Sequence, residues 1–374
     1  MRRAASLQGW NVNVNGELDP TDKELLQDIQ LFNRTYAASG WHIRDKVVEE
    51  NLSHIFLVRS TITSVQFVNV DWKSALLTDT QFTDVEFQQA QFSEATLERV
   101  VFTNCKFVVC SFSKSRLTDC RFINCASEEL NAREASFEGC TFESFVDGSG
   151  VFGSARLRGC RFEKCQLDNA SFYSANLTTV AVRQSSLKNV IFADLKGSEL
   201  LFEDTTVQNC SFEESRYGGL TFQRGESRGV TFKAFNPERL ILQNCAYIEA
   251  LAISESTGTA PTILECNAVS ELSIDHSRIR NLAIERSRIE YFEMKETEVS
   301  GNSRIANCAI AGLNLEKSTL IGLQIVNCEM AIHLIADGAT LDAVILSGIT
   351  YAPDLKLSAR GVKYLHGSTE LRGG

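Results

Sequence analysis

Proline is scarce in this chain, at four of 374 residues, and no stretch approaches the uninterrupted apolar length of a membrane helix. With 44% hydrophobic residues, the first shortage argues against a mostly disordered chain. The second leaves no membrane span to expect. The opening MRRAASLQGWNVNVNG has two arginines and no apolar run behind them, so no Sec signal peptide is expected. Basic residues are short as well: 37 against 47 acids, a formal net charge of -10. A general nucleic-acid binder needs a basic face, so direct nucleic-acid contact is not expected and protein partners are. The five histidines, His42, His54, His276, His333 and His366, are scattered, and no GxSxG, HExxH or Walker pattern occurs. Catalytic, metal and cofactor-binding residues are therefore nominated as none, and the expectation is a non-enzyme that takes no cofactor.

Cysteine, by contrast, is plentiful, at twelve residues. In CKFVVCSFSKSRLTDCRFINC the cysteines fall at 105, 110, 120 and 125, multiples of five rather than a zinc-knuckle spacing. The same interval governs the large side chains. Every fifth residue from Ile62 to Tyr247 makes 38 positions, of which 33 are apolar and 18 are phenylalanine. Two residues before each lies a second register of mostly small side chains, such as Val65, Ala90, Ala95 and Ala170, and all nine cysteines up to Cys245 occupy it. They fill a slot for something small and apolar. In a long chain without an export signal, reduced thiols and a cytoplasmic setting are expected. Cys120 and Cys140 would be vertical neighbours, in poor geometry for a disulfide.

Period five belongs neither to an α-helix nor to a strand. It suits one side of a four-sided coil, with residues i and i-2 inward and the other three in water. A twenty-residue period confirms four sides: Phe82, Phe102, Phe122, Phe142 and Phe162 form one column, and Leu77, Leu97, Leu117, Phe137 and Leu157 another. Through AQFSEATLER, CRFEKCQLDNASFYSANLTTV and CSFEES, the chain resembles the pentapeptide-repeat family in a phenylalanine-rich form. The resemblance implies an all-β fold, a right-handed quadrilateral β-helix (a pentapeptide-repeat solenoid), and a bacterial origin.

Four segments are expected: 1–51 with a capping helix, a Phe-rich β-helix over 52–253, an aliphatic β-helix over 254–355, and a C-terminal cap or tail over 356–374. The short N-terminal helical cap is read in DPTDKELLQDIQLFNRTY, where Leu25, Ile29, Phe32 and Tyr36 share one face. The register slips by two residues between Tyr247 and Leu264, placed in SESTGTAP (254–261), and by one more near GNSRIAN (301–307). From Ile310 it runs through Met330 to Ile335, with His333 inward and hydrogen-bonded. The clock also misses at Ser127, Asp147, Gly197, Ser227 and Pro237, read as bulges or loops suited to specific contacts.

The function expected is a non-catalytic interaction solenoid: a scaffold, adaptor or bacterial effector that presents faces and loops to another protein. It would be cytoplasmic, with non-Sec export open, and a homodimer through the C-terminal end is a further expectation. The competing reading comes from the family resemblance, since some members bind DNA gyrase by imitating duplex DNA. A mimic of that kind, modulating a type II topoisomerase, needs a coherent acidic stripe. The most acidic side holds Glu86, Glu128, Glu129, Asp147, Asp168, Glu226 and Glu249, interrupted by Lys106 and Lys188, and these seven acids are the candidate interaction residues.

Overall fold

A computed structural model describes residues 38–39, 42–49, 51–369 and 371. The helix expected over 19–36 lies outside them. Contacts divide the chain into two units, Met1–Ala181 and Val182–Gly374. Among the described residues each unit is an all-β parallel solenoid, and together they make about 16 turns.

One pentapeptide explains the local geometry. Phe82 is fully buried in the short strand Gln81–Thr83, and Asp84 turns the corner at a φ of 56°. Val85 then points inward as the small residue of the next side, the strand Glu86–Gln88. Left-handed φ recurs at Asp79, Asp84, Gln89, Glu94, Arg99 and Asn104, all between 51° and 60°. L-residues adopt this conformation at a cost of about 1–2 kcal/mol each. The ladder between turns offsets it: the Gln89 N–H donates to the Val108 carbonyl (2.8 Å), and the Lys106 N–H to that of Val85 (2.9 Å).

In the first unit one pentapeptide of each turn forms not a strand but a tight turn. The Ala95 N–H donates to the Phe92 carbonyl (3.1 Å) across Glu94, whose φ is 60°. That is a type II turn with glutamate where glycine is usual. The same bond recurs at Trp72, Phe112, Ala132, Phe152 and Phe172.

The interior is filled by rings. Phe82, Phe102, Phe122, Phe142 and Phe162 lie in successive turns, with adjacent ring centroids 5.0, 4.9, 4.8 and 4.6 Å apart. Trp72, Phe92 and Phe112 make a second stack at 5.4 and 4.7 Å. In the second unit Phe192, Phe212 and Phe232 stack at 4.7 and 5.0 Å before leucine and isoleucine take over. A buried aromatic removes some 150–250 Å² from water, so this interior is the main source of stability.

Four positions expected to throw off bulges or loops stay in the ladder instead. Ser127 pairs with Phe107 and Asp147, and Asp147 with Leu167. Ser227 pairs with Val207 and Ile248, and Pro237 with Tyr217. Ser127, Asp147, Ser227 and Pro237 are all buried, and Gly197 is half-buried within the strand Lys196–Glu203. At three of these positions volume is exchanged between the registers: the large position is small or polar and the small position enlarges. Phe145 accompanies Asp147, Leu195 accompanies Gly197, and Phe235 accompanies Pro237, all three companions buried.

The slips are finer than the sequence suggested. Partners lie 20 residues apart through Phe222–Leu242, then 21 apart at Leu242–Ile263, Ile263–Ile284 and Ile284–Ile305. Single-residue insertions at 243–247 and 264–268 together produce the two-residue slip expected within 254–261. Tyr247 and Leu264 therefore face outward, half-buried, while Ile248 and Ile263 point in. A third insertion lies at 300–304, since Arg280–Ser300 partners such as Arg280↔Ser300 are 20 apart while Ala283↔Arg304 are 21. A fourth, unforeseen, falls between Met330 and His333, where the ladder changes from Ile310↔Met330 to Gly312↔His333. It turns His333 outward and half-buried, and it puts Leu334 and Ala336 inward instead of Ile335.

Strands Lys356–Ser358 and Lys363–Leu365 carry the ladder past 355. Beyond them Ser368 and Thr369 close part of the edge: their hydroxyls accept from the Val344 and Leu346 N–H groups at 3.1 and 3.2 Å. Among the described residues no helix is long and apolar enough to cross a membrane.

Candidate interaction surface

The inner small register holds twelve thiols, all free and buried. Cys110 Sγ donates to the carbonyls of Phe87 (3.2 Å) and Val108 (3.5 Å), and Cys165 does the same with Phe142 (3.3 Å) and Glu163 (3.5 Å). Burial pushes the Cys110, Cys165 and Cys210 thiols up to about 11. Such groups remain protonated near neutrality, which suits packing rather than nucleophilic chemistry. Among the described residues no cluster of three or more His, Cys, Asp or Glu side chains could hold a metal ion.

The outer columns carry the charged side chains. Of the seven acids expected to form a stripe, five lie in the first unit and Glu226 and Glu249 in the second. Glu86 is half-buried and accepts from Gln66 (3.2 Å) and Gln88 (2.9 Å). Glu128 is exposed and pairs with Lys106 at 3.3 Å. Glu129 is exposed at a left-handed corner, and Asp168 is half-buried in the strand Gln166–Asp168. In the ladder Lys106 stands directly between Glu86 and Ala126. Glu226 pairs with Arg228 at 3.4 Å, while Glu249 is exposed.

Asp147 corrects the stripe outright, because its side chain is 1% exposed and points into the core. Its carboxylate accepts from the Ser127 hydroxyl (2.5 Å) and the Gly150 N–H (2.8 Å), and desolvation holds its pKa above the usual carboxylate range. A position on the inward register should have predicted this; acidity alone had suggested the surface. The seven acids thus do not form one acidic column.

A different constellation was missed. At one corner of the second unit the ladder stacks Glu271, Tyr291, Gly312 and His333 in one column. The Tyr291 and His333 rings lie 5.6 Å apart at 51°, and Ile332 beside them is 57% exposed. The signal was present in the phase of Leu341 and Leu346, which agree with Ala336 and not with Ile335 as the inward residue.

A family model described as a pentapeptide repeat region matches residues 95–172 and 115–190, and one of eight-copy pentapeptide repeats matches 60–99. No curated protein matches the sequence. Among solved structures, the plasmid-mediated fluoroquinolone resistance protein QnrB1 is similar at 16% identity over 46% of this chain and 85% of its own, with a TM-score of 0.28. HetL, a pentapeptide-repeat protein involved in heterocyst differentiation regulation in the cyanobacterium Nostoc sp. strain PCC 7120, aligns at 11% identity over 88% of this chain and 93% of its own, with a TM-score of 0.14. The A-module of the mannuronan C-5 epimerase AlgE4 from Azotobacter vinelandii aligns at 9% identity over 94% and 95%, with a TM-score of 0.29. The five-residue register, its twenty-residue ladder and the matched segments agree that this chain is a pentapeptide-repeat protein.

Proposed function

We propose that the protein is a non-catalytic interaction solenoid, a scaffold, adaptor or bacterial effector that binds a protein partner through its outer columns. The observation that carries this reading is the interior: stacked rings and buried thiols fill it, so chemically distinctive groups are left on the outside. Rigid repeat surfaces suit such binding because outer side chains can vary without disturbing the core. The coil is right-handed and four-sided, and the scheme of 1–51, 52–253, 254–355 and 356–374 describes its parts. The protein resides in the cytoplasm, with non-Sec export as a further route. A homodimer through the C-terminal end is supported by Tyr364 and Leu365, 37% and 44% exposed on the last strand.

The topoisomerase-mimic reading has less support. It requires unneutralised charge in a continuous line, whereas Glu128 and Glu226 are paired and Asp147 is interior. Crosslinking in a bacterial lysate, followed by identification of the crosslinked residues, tests both readings. One reproducible protein partner joined through outer-column residues is expected. Topoisomerase subunits joined through Glu86, Glu128 and Glu129 would reverse the preference, and no reproducible partner would sink the scaffold reading.

A further inference from the structure

Three independent features converge on the corner of the second unit formed by residues 249–250, 270–271, 290–291, 311–312 and 332–333. The extra residue between Met330 and His333 is a bulge that turns Ile332 out to 57% exposure. Bulges re-aim side chains and commonly mark sites of use. Beneath it, Gly312 is buried with no Cβ; one added there would meet His333 Cε1 at 2.5 Å and Tyr291 Cδ2 at 3.1 Å. Glycine at this position is what lets the two rings close over the backbone. Glu271 precedes Tyr291 in the ladder and Glu249 and Glu290 occupy neighbouring positions, all exposed and none in an ion pair among the described residues, while Lys356 follows His333.

An exposed aliphatic side chain and two half-buried rings, rimmed by unpaired carboxylates, have the composition of a binding hot spot with a charged rim. The chain itself displays the kind of contact such a group makes. Arg228 lies 5.4 Å over the Tyr247 ring while pairing with Glu226 at 3.4 Å. Guanidinium suits this double role, stacking on a ring face and donating to a carboxylate.

We propose that this corner docks an extended, basic segment of a protein partner. An arginine of that segment stacks on Tyr291 and pairs with Glu271 or Glu290, and a neighbouring aliphatic side chain covers Ile332. The proposal rests on the interaction-solenoid reading and supplies the chemistry of its partner. Ladder rungs lie about 4.8 Å apart, so a segment crossing two rungs spans the distance from Glu271 past Tyr291 to the Gly312 floor.

The test is fluorescence polarisation of a labelled hexapeptide of alternating arginine and leucine, with a glutamate–leucine peptide as control, against the full chain. Saturable binding of the basic peptide alone is expected. Tyr291→Ala and the double change Glu271→Gln, Glu290→Gln should each weaken it at least tenfold, with circular dichroism unchanged. Should the surface be generally attractive to cations, those variants will bind as the parent does, and the proposal fails. Concentration-dependent self-association abolished by Ile332→Asp would assign the corner to a second copy and likewise overturn it. If crosslinked partners persist in Tyr291→Ala, the scaffold reading stands while this corner is excluded.

Discussion

Phe162 and its neighbour Glu163 are adjacent in sequence and opposite in consequence. Phe162 is 2% exposed and stacks on Phe142 at 4.6 Å, whereas Glu163 is half-buried and stands beside Glu143 in the ladder. Removing a buried aromatic costs about 3–5 kcal/mol, and an unpaired buried charge costs more. Phe162→Asp should therefore abolish cooperative folding or expression, seen as loss of the thermal transition. Glu163→Lys replaces a like-charge neighbour by an opposite one and should shift stability by no more than about 0.5 kcal/mol. Asp147 gives a pH-dependent counterpart. Its folded pKa is raised by desolvation, so the native state holds this proton more tightly than the unfolded chain. The group's contribution is favourable at low pH and is lost as pH rises through the ordinary aspartate value toward the raised one. Urea midpoints of Asp147→Asn should exceed those of the parent at pH 7, and the gap should close below about pH 4.

Elements in this protein are only a few residues long, and their boundaries depend on corners. At the third insertion the Asn281 side chain reaches over the next turn, and its Oδ1 accepts from the Asn302 N–H at 3.0 Å. That oxygen would lie 2.5 Å from a Cβ at residue 301, which explains glycine there at a φ of 72°. Gly301→Ala should be destabilising, and combining it with Asn281→Ala should cost less than the sum of the two, by about 0.5 kcal/mol or more in a double-mutant cycle. Additive costs would show that the carboxamide does not crowd this corner. The corners also mark where the sequence could be read and where it could not. Alternation of Phe82, Val85 and Phe87 declared the inward face because side and ring size repeat every five residues. Insertions of one residue leave the aliphatic pattern nearly intact: Ile263 and Leu264 are equally apolar, and only the ladder distinguishes them. Polar residues on the inward register misled for a related reason. Ser127 and Asp147 satisfy one another inside the coil, and the compensating ring at Phe145 sits on the other register. The corner at Tyr291 and His333 was hidden because it depends on a bulge rather than on any motif.

Across the whole molecule, the thiols report on the integrity of both units. Seven of the twelve belong to the first unit and five to the second, and all are buried. In the native state an aromatic disulfide reagent at pH 8 should label none within minutes. Addition of denaturant should expose seven and five as the respective units open, and rapid labelling under native conditions would contradict the packed interior. Within each unit every rung meets the chain about one turn earlier and one turn later, whatever the total length. The mean sequence separation of contacts is therefore capped at roughly a single coil, and adding further coils would not raise it. A chain emerging from the ribosome would find the template for each new rung already made, so assembly can proceed at the pace of synthesis, with no need to wait for a distant C-terminal partner.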